Sequence, residues 1–203
     1  MALNISLTTV KSELDGFVRD TSSCADVMKR INNDYINGTK NEWSSPAADQ
    51  YITNLCSAFN DYISQFNRNY QDGVNSFVAG VNELARNEDA SPVPECTVEK
   101  LSELTKEWQG SAEDFNVPEN YESFTETNLV ANVKSLISYL GSMQTHISVA
   151  VNNGLNGSFC TGLKSSLESL KTSAEEVINE YSGKAAQRAV DQDSSISTIK
   201  SNT

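Results

Sequence analysis

Histidine, proline and basic charge are scarce in this chain. Its 203 residues hold one histidine, four prolines and 15 lysines and arginines against 27 aspartates and glutamates, a net charge of -12. A lone histidine, His146, with no cysteine or carboxylate at ligand spacing makes no zinc site, and the acidic linker lacks the ligand loop of a calcium site, so no metal is expected. Four scattered cysteines include no C-x-x-C pair. An acidic chain gains nothing from counterion release, which removes nucleic acid from the expected partners and disfavours anionic membrane surfaces. No run is long and apolar enough to span a bilayer. The opening residues lack a basic region followed by a greasy run, so no cleaved secretory leader is expected. Catalysis is also without support: there is no nucleophile beside a base, no phosphate loop and no cleft-forming carboxylate pair. Neither enzyme activity nor a cofactor is expected.

What the chain does have is helical rhythm. Leu7, Val10, Leu14, Phe17, Thr21, Cys24, Met28, Ile31 and Tyr35 alternate steps of three and four, a heptad seam that no strand produces. Asn37-Gly38 interrupts it, and Ser45-Pro46 reads as an N-cap followed by proline at the first helical position. The second helix carries Tyr51, Leu55, Ala58 and Tyr62 beside a second stripe of Ile52, Cys56, Phe59, Ile63, Phe66 and Tyr70. Such a wide apolar face predicts contact with more than one neighbour.

A Pro-containing break follows, then a predicted short helix bearing Val98, Leu101, Leu104 and Trp108, then an acidic loop with Phe115, Val117, Tyr121 and Phe124 lying against the bundle. Leu129, Val133, Leu136, Leu140, Met143 and Ile147 form another heptad seam. The corner around Leu155 and Gly157 precedes a last helix with Leu163, Leu167, Leu170 and Ala174. A shift of 112 residues superposes both seams and both corners, which points to duplication of one hairpin. The expected fold is all-α: two long antiparallel hairpins in an elongated four-helix bundle, with a short extra helix in the linker. Residues 1–91 would be the first hairpin, 92–125 the linker, 126–190 the second hairpin and 191–203 a frayed polar tail.

A heptad helix, a turn holding tryptophan and a second amphipathic helix together resemble the W-X-G family of type VII (ESX-like) secretion substrates. The likeness is carried by Glu42-Trp43-Ser44-Ser45-Pro46-Ala47-Ala48-Asp49-Gln50-Tyr51. Leu155-Asn156-Gly157-Ser158 resembles the L-x-G form of the same turn. The resemblance implies helical hairpins that pair head to tail and are exported without a cleaved leader, cytoplasmic first and then secreted or at the cell surface. The implied partners are the secretion machinery or a related hairpin protein, with homo-oligomers allowed. The turn motif would be Trp43, Ser45, Leu155 and Gly157; the partner surface, read from the wide face of the second helix, Ile52, Phe59, Ile63 and Phe66. None of the seven tyrosines is followed four residues later by Asp or Glu, so the family's export signal would have to come from a partner. Counting outward from the first turn sets Cys24 opposite Cys56, a candidate disulfide, with Cys96 and Cys160 a lesser pair. Two other readings compete: a helical pore-forming or membrane-active component, and a cytoplasmic structural bundle.

Overall fold

A computed structural model describes residues 5–116, 121–152 and 158–201. Every regular element among them is helical. The order is α1 (Leu7–Arg30), a π-helical turn (Ile31–Ile36), α2 (Thr39–Glu42), α3 (Pro46–Asn87), α4 (Tyr121–Thr125), a second π-helical turn (Glu126–Val130), α5 (Ala131–Asn152) and α6 (Ser158–Ser201). Among the described residues no helix is long and apolar enough to cross a membrane. The chain divides into two compact units, each assembled from three separate segments of the sequence.

The first unit comprises Met1–Asp26, Tyr62–Leu101 and Leu136–Ser173. Ser6 starts α1 by accepting the Thr9 amide on its hydroxyl and the Val10 amide on its carbonyl. The seam of α1 then turns inward, with Val10, Leu14, Phe17 and Cys24 all at 1% exposure or less. Phe17 stacks on Tyr70 of α3 at 5.1 Å, and Phe66 stacks on the same ring at 4.1 Å. The Tyr70 hydroxyl donates to Met143 Sδ on α5 at 3.2 Å, so three helices meet at one aromatic–sulfur centre. Helix α3 stops where Asp89 takes a left-handed φ of 55° and the Ala90 amide returns to the Ala85 carbonyl.

The second unit comprises Val27–Asp61, Ser102–Ser135 and Ala174–Thr203. Its core is a cluster of rings: Tyr35, Trp43, Tyr51, Tyr121 and Phe124, with Tyr121 edge-on to Trp43 at 5.1 Å. Hydroxyl contacts thread through it. Tyr35 Oη lies 3.1 Å from Tyr51 Oη and 3.2 Å from Thr125 Oγ1, Tyr121 donates to Tyr35, and Thr39 donates to the Tyr35 carbonyl at 2.6 Å. Buried hydroxyls without such partners would cost on the order of 1–3 kcal/mol each.

Two expectations are corrected. Residues 98–108 are not a helix; from Ala90 to Asn116 the chain is an irregular strap without helical hydrogen bonds. Its apolar residues still face inward, Val98 at 6% and Leu101 and Leu104 at 3% exposure. The three-residue spacing that suggested a helix is instead the spacing at which an extended chain meets its neighbours. The tail also differs: α6 runs on to Ser201, supported by local bonds such as Ser195 to the Asp191 carbonyl and Thr198 to the Ser194 carbonyl.

Candidate functional site: the Trp43 corner and the strap

The corner is built from capping chemistry upward. The π-helical turn ends at Ile36, α2 occupies four residues, and Trp43 then swings out to an extended φ of -144°. Ser45 restarts the helix: its hydroxyl accepts the Ala48 amide at 3.2 Å and its carbonyl the Asp49 amide at 2.9 Å, with Pro46 following. Trp43 itself is 3% exposed, held between Tyr51 and Tyr121 with the Arg188 guanidinium 5.0 Å above its ring. Beside it opens a surface cavity of about 390 Å³ walled by Pro46, Ala47, Ala112, Phe115 and Arg188. Phe115, on its wall, is 60% exposed.

The strap passes close by. The Asn116 amide donates to the Ser44 carbonyl, and a Cβ at Gly110 would fall 2.0 Å from the Ser45 carbonyl oxygen, so only glycine fits there. Lys106 pairs with Asp49, whose carboxylate also accepts the Gly110 amide at 3.3 Å. The Lys106 hydrogen bond, aided by that amide, holds the Asp49 carboxyl below its usual range. This contribution is therefore present above about pH 4 and lost as acid protonates Asp49. Trp108 Nε1 donates to the Ile36 carbonyl at 2.8 Å and anchors the strap there.

Asparagines secure the rest of it. In the first unit Asn82 accepts the Val93 amide at 2.7 Å and donates to the Val93 carbonyl at 2.9 Å; Asn67 does the same to Leu101 at 2.9 and 2.8 Å. In the second, Asn60 brackets Leu104 at 2.8 and 3.0 Å, Asn32 accepts the Thr105 amide, and Asn37 accepts the Glu107 amide while donating to the Thr105 carbonyl. A carboxamide presents a carbonyl acceptor beside an N–H donor, the complement of one extended residue's main chain. Sequence reasoning missed these residues. The available signal was asparagine recurring inside long helices, where its intrinsic propensity is poor.

The partner surface assigned to α3 is overturned. Ile52, Ile63 and Phe66 are at 0% exposure and Phe59 at 1%, so the wide apolar face is consumed within the chain. The reading allowed for a second neighbouring helix but not for a strap that also needs cover. The Cys24–Cys56 bridge is corrected as well, because both are buried free thiols. Cys24 Sγ lies 3.9 Å from Met143 Sδ. Counting outward from the turn assumed uniform α-helical rise, and the π-helical turn at 31–36 breaks that count. Burial, reinforced by Asp20, pushes the Cys24 thiol up to about 12, and burial pushes Cys56 up to about 11 despite Lys106. Leu155 and Gly157, and the Cys160 side chain, lie outside the described residues.

His146 is three-quarters buried on α5. Its Nδ1 is 2.7 Å from Glu13 and its Nε2 3.5 Å from Asp20, and the absent side chain of Gly16 makes room for the ring. Among the described residues no group of three or more potential ligands is placed to hold a metal ion. No family model matches this chain, and neither the curated proteins nor the solved structures contain a match to it.

Proposed function

We propose that this chain is a non-enzymatic, tandem helical-hairpin protein of a type VII (ESX-like) secretion system, acting as an effector or as the adaptor of one. It docks on the secretion machinery or a related hairpin protein, self-association included, and passes from the cytoplasm to the exterior. The two hairpins form an elongated four-helix bundle in this reading, with the export tyrosine signal supplied by the partner.

The observation that carries the reading is the Trp43 corner. A bulky ring at 3% exposure fills the gap between two helix ends, and the Ser45-Pro46 cap sets the return helix. That is the packing task a tryptophan–small-residue turn performs in a hairpin. With α3's wide face buried, docking moves to the corner's outer wall, where Phe115 and the Pro46-Ala47 step remain accessible.

The test is fractionation of a tagged chain in its native host, with and without the secretion ATPase. The reading expects the chain in the medium only when the ATPase is present, and reduced export after Phe115→Asp. Retention in cells in both strains would favour the cytoplasmic structural bundle and refute export.

A further inference from the structure

The strap of the first unit is bound by its main chain. Its two clamps, Asn82 on Val93 and Asn67 on Leu101, are four hydrogen bonds of 2.7–2.9 Å, and all four end on backbone atoms. The side chains of Val93, Val98 and Leu101, which are 5%, 6% and 3% exposed, add apolar anchoring. The geometry is matched end to end: fifteen residues of α3 rise about 22 Å, and eight residues of extended chain cover about 25 Å. On the α1 side the contact is thinner. Ser22 donates to Glu99 at 2.9 Å, and beside residues 93–97 an open cavity of about 560 Å³ is walled by Leu14, Asp15, Val18 and Arg19.

We propose that the surface beneath this strap is a backbone-reading peptide site, and that the strap is its resident occupant. The outside ligand it fits is an extended segment of a partner protein with Val or Leu at the positions of Val93, Val98 and Leu101. Proline or β-branched residues beside them keep such a segment out of a helix, as Pro92 and Pro94 do on either side of Val93. Recognition through paired amides tolerates changes between the anchors, because those side chains receive none of the four bonds. The covalently attached strap competes at an effective concentration on the order of millimolar, so a free peptide gains the site when the strap is loosened. The proposal does not depend on the secretion reading, and the two fail separately.

The probe is a fluorescent peptide of residues 90–101 carrying Cys96→Ser, titrated by anisotropy into the full chain and into its Val98→Asp variant. The variant should bind at least ~10-fold more tightly than the parent, since its own strap competes less. Adding Asn67→Ala and Asn82→Ala should abolish the gain, and so should N-methylating the peptide at positions 93 and 101. A reshuffled peptide that keeps only the three anchors should bind within a few-fold. Equal binding of the N-methylated peptide, or no binding to a folded Val98→Asp chain, overturns the proposal. So does a Val98→Asp chain that dimerises and thereby excludes the peptide. If that variant fails to fold, hydrogen exchange on the parent decides. Val93 and Leu101 amides exchanging well ahead of the α3 amides would show the strap opening by itself; exchange only with global unfolding would refute it.

Discussion

The first unit packs its centre through stacked rings and sulfur, and the second through a web of buried hydroxyls. Phe17, Phe66 and Tyr70 stack face to face and end on the Met143 sulfur. Tyr35, Tyr51 and Tyr121 are tied instead through hydroxyls to one another, to Thr39 and to Thr125. Helices α1, α3, α5 and α6 each contribute residues to both units. A single heptad seam can therefore end in two kinds of core. Stacked rings depend on area and shape, whereas the hydroxyl cluster depends on every polar atom finding its partner.

Truncation should show this difference first in what the units share. Phe66→Ala in the first unit and Phe59→Ala in the second should each lower stability by about 3–5 kcal/mol. Urea denaturation would read the loss, and near-neutral effects would return this face to the surface. Removing one hydroxyl should then separate the units. Tyr35→Phe takes one partner from each of the Tyr51, Tyr121 and Thr125 hydroxyls and should cost about 1–3 kcal/mol. Tyr70→Phe gives up a single bond to sulfur and should cost about 1 kcal/mol or less. A Tyr70→Phe loss equal to that of Tyr35→Phe would erase the distinction.

The smallest effects concern the thiols. Cys24 and Cys56 have folded values of about 12 and about 11, above the ordinary thiol range of about 8.5. Their contribution to stability is present below that ordinary value and fades as pH climbs toward the folded ones. At pH 8 alkylation should reach the partly exposed Cys96 before either buried thiol, and unfolding should remove the difference. Rapid labelling of Cys24 in the folded chain would contradict its burial.

Residue periodicity made much of this legible. The seams of α1 and α5 and the Ser45-Pro46 start of α3 could be read because heptad spacing and capping are local signals. The strap could not. Val98, Leu101 and Leu104 are spaced for a helix, and what holds Leu101 and Leu104 extended is asparagine chemistry contributed by distant residues. Nor could periodicity say who would cover the wide face of α3. Apolar width counts neighbours without saying whether they belong to the same chain, and here Phe59 and Phe66 found theirs at home. The disulfide expectation failed for a different local reason, since a π-helical turn leaves little trace in an apolar pattern.

The account rests on the corner being closed by Trp43. The most direct measurement is steady-state fluorescence of a Trp108→Phe chain, in which Trp43 is the sole tryptophan. A ring at 3% exposure among tyrosines should emit at short wavelength and resist acrylamide quenching until the chain unfolds. Solvent-like emission with full quenching in the folded chain would mean the corner is open, and the hairpin reading would fall with it.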